Sequence, residues 1–161
     1  MKAIAAMSKN RVVGKNKGLP WPSIKEDFKW FKEFTMGKTL ILGKNTFDTL
    51  PKLKDRECMV IVKPQPSLEI IKNQHLVNQN GMTGKLVTFN EVLSYINHDN
   101  FIIAGGAKTY ELFLPHITEF YVTHINADYD GDTYMPAFEH LYNRFELIKE
   151  FDGHKVIKYS R

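Results

Sequence analysis

The chain has 161 residues, 43% of them hydrophobic and 12% aromatic, enough for one packed core and short for two domains. Its 22 basic and 18 acidic residues leave a formal net charge of +4, which excludes an acidic scaffold. Arg11, Arg56, Arg144 and Arg161 are the only guanidinium groups, so no arginine-rich tract points to nucleic acid. The single cysteine, Cys58, cannot close an internal disulfide, and the six dispersed histidines show no metal-binding spacing. No apolar run reaches the roughly 18 residues of a membrane span, and the one after Met1 is too short for a secretory signal. The expectation is a cytoplasmic protein without metal, membrane or nucleic-acid partner.

In chain order, strand-length apolar runs fall at 2–7, 38–43, 58–63, 85–89, 101–105, 119–127, 145–151 and 155–160. The early runs are almost continuously hydrophobic, as in strands covered on both faces of a parallel sheet. Helical patterns at 24–35, 44–50, 90–97 and 107–113 alternate with them, giving an α/β chain with right-handed crossovers. The last two strands are separated only by "DGH", and Asp152-Gly153 is a hairpin signal, placing an antiparallel hairpin at the C-terminal end. Residues 73–84, "NQHLVNQNGMTG", read as a surface loop.

The first helical pattern carries an anomaly. On a wheel of about 100° per residue, Lys25, Glu26, Lys29, Lys32 and Glu33 share one arc, while Asp27 falls between Phe31 and Phe34 in the apolar stripe. Ser23 and Glu26 have capping-box spacing, which starts the helix before Asp27 and leaves the acid too deep in it to cap. An acid on an apolar face is most often marginal and paired with lysine. Flanked by aromatic rings, it also suits a flat, amidine-like heterocycle, to which a carboxylate offers two acceptors.

Two turns, "LILG-KNTFDTL" and "FIIAGG-AKTYELFL", both run from a buried strand through glycine into a helix, with Lys44 or Lys108 in the first turn. Free N–H groups and a positive dipole end suit phosphate there. Taken singly, each is ordinary punctuation. Together with Lys63 at the end of a third strand they favour a dinucleotide with an additional phosphate.

The stretches "IAAMSKNRVVGKNKGLPW", "DFKWFKEFT", "GKNTF", "IIAGGAKTYELFLP" and "YVTHINADYDGDTYMP" jointly resemble the dihydrofolate reductase family along essentially the whole chain. The resemblance implies one domain over residues 1–161. Its fold would be a mixed, mostly parallel eight-stranded sheet flanked by four helices. Its reaction would be NADPH-dependent reduction of 7,8-dihydrofolate to tetrahydrofolate, by a monomer that also takes antifolates. Asp27 matches the carboxylate that grips the pterin, and Trp21 and Thr123 match the residues that order it. Ile4, Ala5, Ala6, Phe28, Phe31, Leu50, Leu53, Ala104 and Tyr110 match the substrate walls, and Arg56 matches the clamp on the glutamate carboxylate.

For NADPH the resemblance implies Ala6, Val13, Gly14, Lys17, Gly18 and Leu19 near the nicotinamide, with 14–21 forming a mobile loop steadied by Asp132. Gly43, Lys44, Asn45, Thr46, Val62 and Lys63 match one phosphate side, and Gly105, Gly106, Ala107, Lys108 and Thr109 the other. A cis peptide is expected between Gly105 and Gly106. Two rival readings are a reductase of a riboflavin-pathway heterocycle on the same fold, which would not need Asp27 between aromatic rings, and a non-catalytic basic binding module, which leaves the acid unexplained.

Overall fold

The computed structural model of the chain describes residues 1–16, 18–62, 74–95 and 97–161. Its strands are β1 (Lys2–Met7), β2 (Val12–Gly14), β3 (Thr39–Gly43), β4 (Glu57–Ile61), β5 (His75–Val77), β6 (Thr83–Val87), β7 (Phe101–Ile103), β8 (Glu119–Ile125), β9 (Thr133–Tyr134), β10 (Arg144–Phe151) and β11 (His154–Ser160). The α-helices are α1 (Lys25–Thr35), α2 (Lys44–Thr49), α3 (Phe89–Leu93) and α4 (Ala107–Phe113).

Among the described residues the main sheet has nine strands, ordered β10-β11-β8-β1-β7-β3-β4-β6-β5, and β2 pairs with β9 in a separate ribbon. The strands from β8 to β6 are parallel, and β11 joins β8 antiparallel. The β10–β11 hairpin turns at Gly153, whose φ of +80° favours glycine. Parallel strands need cover on both faces, and they have it. Trp30 of α1 and Phe47 of α2 join Leu40, Leu42, Val60 and Ile102 in one core. Val92 of α3 and Phe113 of α4 join Ile41, Ile103, Phe120 and Val122 in the other.

The expected eight strands become nine because residues 75–77, inside the expected loop, pair antiparallel with β6. Asn78 stabilises this turn, its side-chain oxygen accepting from the N–H groups of Asn80 and Met82, both at 2.9 Å. The expected capping box does not form. Ile24 is the N-cap of α1 with no side-chain cap, so Asp27 is the third helical residue rather than one deep in the helix. The helix expected at 90–97 ends at Leu93, where the Ser94 hydroxyl donates to the Glu91 carbonyl at 2.5 Å.

The chain's path creates a crevice. β1 and β7 are neighbours, but β1 leads through α1 on one face to β3, whereas β7 leads through α4 on the other face to β8. Connections leaving adjacent strands toward opposite faces open the sheet at their carboxyl ends, where ligands of α/β proteins bind.

Candidate active site

Asp27 lies against that crevice. Its partner is Thr123 on β8, whose hydroxyl donates to the Asp27 carboxylate at 2.7 Å. Thr123 is itself fully buried and sits opposite Ala6 of β1. Burial raises the Asp27 carboxyl above its ordinary value, while the Thr123 hydrogen bond and the charge of His154 pull it down. The result is a carboxyl group that is half-buried and, among the described residues, pairs with no lysine, unlike Glu33, which pairs with Lys149 at 3.2 Å.

The walls around it assemble from both sides. Ile4 and Ala5 are buried in β1, Ala6 is half-buried, and Phe31, Leu50, Leu53 and Ala104 are partly buried against the α1-side core. Phe28, adjacent to the acid, remains 46% exposed, a large ring facing away from the packed interior. Tyr110 does not line an open surface. It is 5% exposed, its hydroxyl donates to the Ile4 carbonyl at 2.7 Å, and burial drives its ionisation well up. Its contribution is to support Ile4 from beneath. Trp21 is buried and meets Tyr129 edge-on, ring centres 5.9 Å apart.

Arg56 is only 9% exposed. Its Nε donates to the Lys54 carbonyl at 2.8 Å and Nη1 to the Thr35 hydroxyl at 3.4 Å, fixing the guanidinium between the end of α1 and the start of β4. A depression of about 480 Å³ opens beside it, lined also by Lys38, Thr39, Asp55 and Asn100.

The two glycine turns adjoin one another, because β3 and β7 are hydrogen-bonded neighbours. The Gly43 N–H donates to the Gly105 carbonyl at 2.8 Å. Gly105 adopts φ +125°, open to glycine, and the Gly105–Gly106 peptide is cis as expected. Gly43 and Gly106 are the N-caps of α2 and α4, and neither helix has a side-chain cap. Asn45, Thr46 and Ala107 occupy the first turns of these helices. Thr46 and Thr109 brace them, since a Cβ on Gly106 or Gly43 would meet the hydroxyl of Thr46 or Thr109 at 2.9 Å. Lys44 is exposed and engages Asp48 at 2.9 Å, and Lys108 is exposed. Val62 is half-buried at the end of β4, its N–H donating to the Val87 carbonyl. Lys17 and Lys63, both expected at the cofactor, lie outside the described residues.

The loop expected over the nicotinamide is tied at its start. Gly14 pairs with Thr133, Val13 packs against the α4-side core, and Lys15 and Gly18 bridge to one another. The Asn16 N–H donates to the Asp132 carboxylate at 2.9 Å, and the Asp132 N–H to the Gly14 carbonyl at 3.0 Å. The Asn16 hydrogen bond, then that of Thr133, lowers the Asp132 carboxyl below its ordinary value. Leu19 is 52% exposed.

Sequence reasoning passed over three contributors. Asn78, 8% exposed, donates to the carbonyls of Phe47 and Leu50 at 2.7 and 2.8 Å, holding the wall residue Leu50 in place. Tyr129 supports Trp21, and His154 shares the Asp27 face. Asn78 and Tyr129 act across loops, where no periodicity announces a partner.

The model of the family described as dihydrofolate reductase matches residues 1–159. A dihydrofolate reductase of Buchnera aphidicola from Acyrthosiphon pisum is 34% identical over 137 residues, covering 84% of this chain and 78% of that protein. The type 8 dihydrofolate reductase of Escherichia coli is 30% identical over 162 residues, covering 99% of this chain and 94% of the relative. Among solved structures, the Enterococcus faecalis dihydrofolate reductase complexed with NADP(H) and RAB-propyl superposes with a TM-score of 0.76 at 25% identity, covering 99% of this chain and 95% of that one. With the acid on Thr123, the paired glycine turns and the full-length match in agreement, the chain belongs to the dihydrofolate reductase family.

Proposed function

We propose that Asp27 is the group that orients substrate in the reaction of this family, the NADPH-dependent reduction of 7,8-dihydrofolate to 5,6,7,8-tetrahydrofolate. The observation that carries the assignment is the half-buried carboxylate with one hydroxyl partner, placed beside Ala6 and the crevice. Thr123 occupies one oxygen, Oδ1. The remaining acceptor capacity of the carboxylate meets the pterin's 2-amino group and ring N–H, a planar pair of donors. A negative charge there favours protonation at N5, and water delivers the proton.

The glycine turns fit the cofactor. Helices α2 and α4 open side by side with no side-chain caps, so their first N–H groups suit the phosphates of a dinucleotide. Gly43, Lys44, Asn45 and Thr46 would hold one phosphate group, and Gly105, Gly106, Ala107, Lys108 and Thr109 the other. When bound, NADPH supplies the hydride for C6. Ala6, Val13, Gly14, Gly18 and Leu19 would enclose the reacting ring and exclude water.

Ile4, Ala5, Phe28, Phe31, Leu50, Leu53 and Ala104 would wall the pterin and aminobenzoyl portions, with Tyr110 supporting Ile4 and Trp21 ordering water near the acid. Arg56, held by Lys54 and Thr35, would pair with the glutamate carboxylate. Antifolates that mimic the pterin would take the same pocket. The reading extends to a cytoplasmic monomer. Among the described residues no helix is long and apolar enough to cross a membrane. The test is NADPH absorbance, expected to fall only when dihydrofolate is added. No fall with both present would overturn the assignment.

A further inference from the structure

Leu50 and Leu53 stand on a segment that no regular element supports. Residues 50–56 join α2 to β4 and belong to neither. Pro51 has no N–H to offer, Lys52 is exposed, and the two leucines are only partly buried. A wall built this way keeps its shape only where its backbone groups find partners elsewhere in the chain.

Those partners come from one turn at the far edge of the sheet. β5 is the edge strand, with β3, β4 and β6 between it and β7, and residues 78–82 connect it to β6. The Asn78 N–H closes the turn by donating to the Met82 carbonyl at 2.9 Å, and Gly81 within it has φ +82°. From this turn the Asn78 amide nitrogen donates to the Phe47 and Leu50 carbonyls at 2.7 and 2.8 Å. The exposed Asn80 amide donates to the same Leu50 carbonyl at 3.0 Å, and the buried Met82 sulfur accepts from the Leu53 N–H at 3.5 Å. Because its oxygen also accepts from the N–H groups of Asn80 and Met82, the Asn78 amide fills every hydrogen-bonding position it has. Reversing the amide would set oxygen against two carbonyls, so only one orientation fits.

We infer that Asn78, through the 78–82 turn, is a positioning residue for the Leu50–Leu53 wall and makes the site selective for substrates that carry a tail beyond the pterin. This rests on the function proposed above. The wall leads along the chain from α2 to Arg56, whose Nε donates to the Lys54 carbonyl of the same segment. It therefore spans the stretch next to the carboxylate clamp, where the aminobenzoyl group of the substrate would lie. Asp27, which would grip the ring, takes its hydrogen bond from Thr123 of β8, on the other side of β1 and β7 from this turn. Loosening the wall weakens the hold on the tail and leaves the ring grip in place.

The experiment measures binding to the folded protein, so it does not depend on turnover. Tryptophan fluorescence is titrated with 7,8-dihydrofolate and with 6-methyl-7,8-dihydropterin, which has the ring and no tail. Asn78→Asp keeps the shape but sets a carboxylate oxygen against the Phe47 and Leu50 carbonyls, and Asn80→Ala removes one exposed donor. The dihydrofolate Kd should rise at least ~10-fold in Asn78→Asp and about 2- to 5-fold in Asn80→Ala. The Kd of the tailless pterin should move less than about 2-fold in both. A merely structural role lowers the folded fraction and does not change the ratio of the two affinities. Equal weakening of both ligands in a folded variant, or no weakening, overturns the inference. Should Asn78→Asp fail to fold, Asn80→Ala decides alone. A parent protein that binds no dihydrofolate overturns the proposed function and this inference with it; a parent that binds both ligands, with variants that do not discriminate, overturns this inference alone.

Discussion

Replacing Asp27 with asparagine keeps the shape and removes the charge. The Thr123 hydroxyl still has an oxygen to donate to, so the helix and strand contact should survive. Toward the pterin, asparagine cannot offer the acceptors of a carboxylate: one of two charge-assisted hydrogen bonds becomes neutral, and the other becomes a donor facing a donor. At roughly 1.5–3 kcal/mol for each charged bond and about 1 kcal/mol for the neutral one that remains, the loss is about 2–5 kcal/mol, or about 30- to 5000-fold in rate. The assay is single-turnover hydride transfer from pH 5 to 8. The defect should shrink at low pH, where dihydrofolate protonates without help.

Stability supplies an opposite signature for the same variant. Burial raises the Asp27 carboxyl, so the folded state holds its proton to higher pH than the unfolded chain does. That group's contribution is full below the unfolded value near 4 and is lost as pH rises through the raised folded value. At neutral pH the ionised acid is a cost, and Asp27→Asn should unfold no more easily than the parent. A near-parental rate at every pH combined with a clear loss of stability would refute the catalytic assignment.

Four further outcomes are expected. NADPH should exceed NADH in kcat/KM by at least about tenfold, the worth of one charged phosphate contact at Lys44 or Lys108, and equal values would remove the proposed phosphate pairing. Asp132→Ala, which frees the Asn16 N–H, should slow turnover by loosening the loop while shifting urea stability by less than about 1 kcal/mol; unchanged pre-steady-state and steady-state rates would dissociate the loop from catalysis. Gly131→Ala would bring a Cβ to 2.6 Å from the Gly14 carbonyl, so it should disrupt the β2–β9 ribbon and cost roughly 1–3 kcal/mol by urea unfolding, and a neutral result would contradict that close approach. Tyr110→Phe should cost about 0.5–1.5 kcal/mol by removing the hydroxyl's hydrogen bond to the Ile4 carbonyl, and an unchanged unfolding midpoint would rule this out.

The central strands were legible because covered parallel strands are long apolar runs, and the C-terminal hairpin because Asp152-Gly153 accepts the left-handed turn at φ +80°. The short strands β2, β5 and β9 carry no long apolar run to stand out, and β2 and β9 pair with each other. Asp27 announced itself by breaking the helical sorting, but the start of its helix was misread. The residues between Trp21, packed against Tyr129, and Ile24 stay outside the helix, so the N-cap position falls on Ile24 rather than Ser23. Phe28 shows the limit of a wheel: it lies among the apolar positions yet is nearly half exposed. The partnerships of Asn16 with Asp132 and of Tyr110 with Ile4 span more than a hundred residues, and local pattern contains no trace of them.

The hydrogen bond from Gly43 to Gly105 has a consequence for how a long ligand is held. It joins two loops from distant parts of the chain into one rigid unit, spaced by the roughly 4.8 Å that separates neighbouring strands. A molecule that docks on one loop meets the other already in place, at a high effective concentration and without a further loss of translational freedom. Binding of the whole dinucleotide should then exceed what its two halves achieve as separate molecules. Fragments carrying one phosphate each would be poor competitors even when supplied together.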